Sequence, residues 1–128
     1  MYRIGIDLGG TNIVAAVVDD DYKMVAKAKT PTAIPRTPDE IFDDIARVSK
    51  EAMAEAGITI ADIKSVGIGT PGTVNAEGII EYANNLGFDH VPAKQMLIDR
   101  LGCDNVFVEN DANCAALGEA VAGGDDRI

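Results

Sequence analysis

Tryptophan is absent from this sequence, histidine occurs once, at His90, and cysteine twice, at Cys103 and Cys114. The two cysteines stand well apart, with no Cys-x-x-Cys pair and no Cys/His cluster, so neither a disulfide framework nor a structural metal site is expected. Two free thiols in a cytoplasmic protein is the plainer reading. Basic residues are also scarce: 11 Lys and Arg stand against 21 Asp and Glu, for a net charge of −10. That balance argues against nucleic acid, whose binding rests on basic patches facing phosphates, and equally against an anionic membrane surface. Long hydrophobic runs are missing too. The longest, Ile13–Val18, is far too short to span a bilayer. No basic stretch leads into an apolar core at the N-terminus, so no signal peptide is expected.

What is present is a chain of 128 residues, 47% of them apolar, enough for one globular domain with a core of its own. Residues 2–8 (YRIGIDL) alternate and run into Gly9-Gly10, which reads as a strand and a turn. Residues 12–19 and 23–30 read as two more strands, joined by a turn at Asp19-Asp20-Asp21, so the chain opens with an antiparallel meander. Thr37-Pro38-Asp39-Glu40 is a helix start: Thr37 can cap, Pro38 fits the first helical position and Glu40 completes a capping box. Ile41, Ile45, Val48 and Ala52 follow at helical spacing, and Gly57 ends the helix. Residues 63–69 read as a strand, 70–78 as a Gly/Pro loop, 79–82 as a short pairing segment and 92–101 as a short helix. Residues 105–109 read as a strand, and 109–119 (ENDANCAALGE) as a helix of small residues with three polar groups at its entrance. The order β-β-β-α-β-α-β-α predicts an α/β domain with a mixed five-stranded sheet and helices packed on it.

Four stretches carry chemistry. DLGGTN (7–12) joins two strands. Its glycines allow a sharp turn and a close backbone approach, successive N–H groups can form an anion nest, and Thr11 adds a hydroxyl. Asp7 could hold Mg²⁺ or its waters. The stretch is neither a Walker loop nor a dinucleotide fingerprint, and spacing alone leaves an ordinary hairpin turn equally open. GIGTPGTV (67–74) ends a strand in a stiffened loop, and ANNLGF (83–88) offers two adjacent amides suited to sugar hydroxyls. Each, read alone, fits a plain turn better. In Glu109-Asn110-Asp111, Asn110 or Asp111 can cap the helix while the other meets a ligand. A carboxylate there could accept a hydroxyl proton during phosphoryl transfer, which tolerates a weak base if the transition state is loose.

Taken together, IGIDLGGTN, GIGTPGTV, NNLGF and VENDANCAALGE, in this order, make the chain resemble the N-terminal domain of the ROK family (repressors, open reading frames and sugar kinases) from about Arg3 to Glu119. The resemblance implies the ribonuclease H-like fold of the actin and hexokinase ATPases. It implies that Asp7, Gly9, Gly10 and Thr11 grip the phosphates of ATP and its Mg²⁺, with Asp7 nearest the metal. Asp111 matches the base that takes the proton from a sugar hydroxyl. Asn110 matches a sugar-binding amide, Gly72 and Thr73 a loop that lines the sugar, and Asn85, with Asn84 beside it, the amide of an Asn-Leu-Gly-Trp stretch. Glu109 is left structural. Asn12 stands where the family often has Lys, and Phe88 where it often has Trp; neither loss removes a reacting group.

The family's kinases are much longer. Their second phosphate motif, adenosine site and Cys-rich zinc motif lie in a C-terminal half, and His90, Cys103 and Cys114 match none of the zinc ligands, so no zinc is expected in this chain. The expectation is therefore an N-terminal ATPase-type domain over residues 1–122, with 123–128 opening a linker. It would belong to a cytoplasmic, ATP- and Mg²⁺-dependent hexose kinase of the glucokinase type, inactive in isolation. The partners would be a small hexose and ATP, with neither nucleic acid nor membrane, and with a homo-oligomer open to the full-length enzyme. Which hexose, and whether ATP or polyphosphate is the donor, stay open. A regulator of the same family is the alternative, but Met1 leads straight into the first strand, with no helix-turn-helix ahead, and the charge opposes DNA. A non-catalytic sugar-binding domain is the other.

Overall fold

The computed structural model describes residues 1–34, 36–83 and 86–110, with the backbone alone at Asn110. The meander is present. Strands β1 (Tyr2–Leu8), β2 (Asn12–Val18) and β3 (Met24–Pro31) pair antiparallel in sequence. Strand β4 (Ile63–Thr70) lies parallel to β1, and the last described strand (Val106–Asn110) lies parallel to β4. The sheet therefore runs β3-β2-β1-β4 and then that last strand, with β1 at its centre.

The first helix, α1 (Pro38–Ala56), begins and ends where the sequence places it. Thr37 accepts from the Glu40 N–H, Glu40 reaches back to the Thr37 N–H at 3.0 Å, and Gly57 closes the helix in the left-handed region. One side of α1 buries Ile41, Phe42, Ile45, Val48 and Ala52 against Ile4, Ile6 and Leu8 of β1, Ile13 and Val17 of β2, and their neighbours. Each large aliphatic or aromatic side chain sealed there contributes about 1.5–3 kcal/mol. A second helix, α2 (Ala93–Leu101), lies beside α1, and Arg100 ties the two, donating to Asp43 at 2.9 Å and Asp39 at 3.0 Å.

Between β4 and α2 the sequence foresees a loop and one brief pairing. The structure has a complete small sheet: β5 (Thr73–Val74), β6 (Ile80–Ala83) and β7 (Phe88–Val91), all antiparallel. The last strand of the main sheet, Val106–Asn110, is thus β8. The β5–β6 turn is held by Asn75, whose side-chain oxygen accepts from the N–H groups of Glu77 and Ile79. Strands this short escape a periodicity reading because two or four residues show no period. Phe88, at the start of β7, is sealed inside with its ring centroid 6.3 Å from that of Phe42. Phe88 is thus an aromatic core residue joining the small sheet to α1.

The end of β8 corrects a boundary. The strand runs through Glu109, as the sequence places it, and one residue further to Asn110, which pairs with Thr70. The helix expected beyond them, and the linker at 123–128, lie outside the described residues.

The two faces of the main sheet differ sharply. The face toward α1 and α2 is closed. On the other, Gly5 and Asp7 of β1 are exposed, and Phe107 of β8 is 54% exposed. Among the described residues nothing lies within 4 Å of where a Cβ on Gly5 or Gly67 would sit.

Candidate functional site

Because β1, β4 and β8 run parallel, their carboxyl ends share one edge of the sheet. In open α/β sheets that edge is where ligands bind, since the loops leaving it converge on one crevice. Among the described residues the loops are the Gly9–Thr11 turn and the Pro71–Gly72 turn, and β8 ends at the same edge.

The first turn is built tightly. The Gly9 N–H donates to the Asn12 carbonyl at 3.0 Å, closing it. Thr32, just past β3, holds it from behind: its N–H donates to the Thr11 carbonyl at 2.9 Å and its hydroxyl to the Gly9 carbonyl at 2.7 Å. Among the described residues the N–H groups of Gly10 and Thr11 have no acceptor. Asp7 stands at the foot of the turn, exposed, between Val14 of β2 and Gly69 of β4. Glu109 lies in the same cross-strand row, on the far side of Gly69. Two strand spacings, about 9.5 Å, separate the backbones of Asp7 and Glu109, and the residue between them has no side chain. Among the described residues no group of three or more His, Cys, Asp or Glu side chains gathers to hold a metal ion. A divalent cation at Asp7 would therefore need phosphate oxygens or water as further ligands.

The second turn serves the fold as well as any ligand. Gly72 sits at φ +91°, and a Cβ there would lie 1.9 Å from the Tyr82 carbonyl oxygen and 2.9 Å from the Ala83 Cα. Only glycine fits against β6 at that point. The contact joins the GTPGT loop to the end of β6, immediately before Asn84. Thr70 is fully buried and Thr73, opposite Tyr82, is exposed.

Asp7, Gly9, Gly10, Thr11, Gly72 and Thr73 are thus on or beside one edge, and the backbone of Asn110 ends β8 there. Asn84, Asn85 and Asp111 lie outside the described residues. His90 is on the exposed side of β7, its side chain 76% exposed and paired with Asp89. Sequence reading missed Thr32 and the Arg36 behind it, whose Nε donates to the Thr32 carbonyl at 3.1 Å and whose guanidinium pairs with Asp44 of α1 at 2.8 Å. Partial burial pushes the Asp44 carboxyl up, but the Arg36 hydrogen bond and the charges of Arg36 and Arg47 outweigh it and hold it below the ordinary carboxylate range. No local pattern marks Thr32, because its hydroxyl bond reaches 23 residues back along the chain.

A central parallel strand pair flanked by a meander, helices α1 and α2 on one face and a glycine turn after the first strand give the fold of the actin and hexokinase ATPase domains. Within that class the chain belongs to the ROK family, whose model matches residues 3–128. It is 40% identical over 122 residues to a glucokinase of Streptomyces coelicolor, covering 94% of this chain and 36% of the relative. It is 38% identical over 119 residues to an N-acetyl-D-glucosamine kinase of Pasteurella multocida, covering 92% of this chain and 37% of that protein. A putative xylose repressor of Caldicellulosiruptor sp. is 32% identical over 122 residues, 94% of this chain and 30% of the repressor. Among solved structures, a ROK family glucokinase from Streptomyces griseus in complex with glucose and AMPPNP superposes with a TM-score of 0.83 at 37% identity, covering 96% of this chain and 37% of that one. The chain therefore spans about a third of the length of the curated relatives it matches. Among the described residues no helix is long and apolar enough to cross a membrane.

Proposed function

We propose that residues 1–122 are the N-terminal ATPase-type domain of an ATP-dependent hexose kinase, glucokinase-like in its substrate, with residues 123–128 opening the linker to a second domain. The observation that carries the proposal is the convergence of the glycine turn, the Pro71–Gly72 turn and the end of β8 on one edge of the sheet. The glucokinase relatives, one of them solved with glucose and AMPPNP, support glucose as the first hexose to try.

The turn fits a phosphate. It offers two backbone N–H groups without acceptors, a threonine hydroxyl, and an exposed carboxylate placed for a bridging cation. In this reading the Gly10 and Thr11 N–H groups and the Thr11 hydroxyl would hold phosphate oxygens, Gly9 lets the backbone come close to them, and Asp7 would hold Mg²⁺ through its waters. ATP with Mg²⁺ supplies the phosphoryl group and neutralises its charge. Gly72, Thr73, Asn84, Asn85 and Asn110 orient the sugar. Asp111 hydrogen-bonds the reacting hydroxyl and accepts its proton late in the transfer. Closure against a second domain excludes water, so that the sugar and not water is phosphorylated. The 128-residue chain by itself is accordingly proposed to turn over no sugar.

The test is Asp111→Asn in the complete polypeptide. Turnover with glucose and Mg-ATP is expected to fall by about 10²- to 10⁴-fold while glucose affinity changes little. A variant with near-wild-type turnover would overturn the role of Asp111. The likeness to a putative repressor favours a second reading, a sugar-responsive regulator. A wild-type protein that shows no turnover but binds DNA in a glucose-dependent way would replace the kinase reading with that one.

A further inference from the structure

We infer that Thr32 is the positioning residue of the glycine turn: its hydroxyl fixes the Gly9–Gly10 peptide so that the Gly10 N–H faces an incoming phosphate. The inference rests on the phosphate-binding reading of that turn.

A trans peptide directs its C=O and N–H in opposite senses. The Gly9 carbonyl and the Gly10 N–H belong to one such plane. Thr32 Oγ1 donates to that carbonyl at 2.7 Å, so the Gly10 N–H points the other way, away from Thr32. A plane between two glycines is the easiest in the chain to rotate, because neither neighbour has a Cβ to resist. Left alone it would sample both orientations, and only one presents the donor. The Thr32 N–H takes the Thr11 carbonyl at 2.9 Å, so one residue grips the turn on both sides of Gly10. Thr32 is itself immobilised. It is fully buried, and Arg36 donates to its carbonyl while pairing with Asp44 of α1. A rigid helix therefore stands behind the donor, and the orientation is set before any ligand arrives.

Thr32→Val keeps the shape and the backbone N–H and deletes only the hydroxyl; Thr32→Ser restores it. In the complete polypeptide, affinity for Mg-AMPPNP is followed through the backbone amide signals of Gly9, Gly10 and Thr11, together with the KM for glucose and the thermal unfolding midpoint. Thr32→Val is expected to weaken Mg-AMPPNP binding roughly tenfold, to leave the glucose KM within about twofold, and to be rescued by serine. Equal nucleotide affinity in wild type and Thr32→Val, with the turn amides still responding, overturns the positioning role alone. Parallel losses for nucleotide and glucose also overturn it, since they mark general damage to the fold. If the wild-type turn amides do not answer to Mg-AMPPNP at all, the phosphate reading falls, and the role of Thr32 with it.

Discussion

The two faces of the five-stranded sheet are made from the same strands yet obey different rules. Along β1, Ile4, Ile6 and Leu8 face α1 and are sealed, while Gly5 and Asp7, on the alternate positions, are open. The contrast continues sideways: Ile6 has Ala15 and Ile68 beside it, whereas Asp7 has Val14 and Gly69. Burial on the first face supplies stability, and any volume change there is felt by close-packed neighbours. Among the described residues the second face is uncovered, and it carries the carboxylate proposed to work with phosphate. A strand's period of two lets one segment do both at once.

The hardest blow to that contrast falls on the closed face. Phe42→Ala removes a fully buried ring that packs against Phe88 and so links α1 to the small sheet. A loss of about 3–5 kcal/mol in urea unfolding is expected. A loss below about 1 kcal/mol would mean that the α1 layer is not the main support of the fold.

A smaller effect tests the polar margin of the same layer. With its folded pKa depressed, Asp44 adds stability that is present above the unfolded carboxylate value, about pH 4, and is lost as pH falls through the lower folded value. Asp44→Asn should therefore cost up to about 1 kcal/mol at pH 7, and the gap to wild type should narrow as pH falls below the ordinary carboxylate value. Urea midpoints for both proteins across that range would show it. A gap that widens in acid would contradict the depressed pKa.

The smallest change is expected on the open face. Gly67→Ala adds a methyl where no described atom lies within 4 Å, so stability should move by no more than about 0.5 kcal/mol. A loss above about 2 kcal/mol would show that a segment outside the described residues sits on that face. The comparison would then be between two covered faces of different texture.

The meander and α1 were legible because their signals are local. Alternation over seven residues, Thr37 with Glu40, and Gly57 each act within a few positions of the chain. Of the small sheet only β6 was legible, as the brief pairing at 79–82; β5 has two residues and β7 four, and the sheet is held by Phe88 reaching Phe42 and by Gly72 pressed on Tyr82. Glu109 was legible as the end of a strand; pairing with β4 carries that strand one residue further, through Asn110, and the helix expected after it lies outside the described residues. The glycine turn was readable as a turn, and phosphate binding is the use proposed for it. That Thr32 clamps it was not readable.

The sequence by itself determined the elements whose hydrogen bonds and apolar periods close over short spans, together with the family likeness that four ordered motifs carry. Tertiary structure alone decided which motifs meet at one edge, which face of the sheet is open among the described residues, and which way the Gly9–Gly10 peptide faces. Those outcomes depend on contacts between residues far apart in the chain, such as Thr32 with Gly9 and Arg100 with Asp39, and such contacts leave no trace in any short window of sequence.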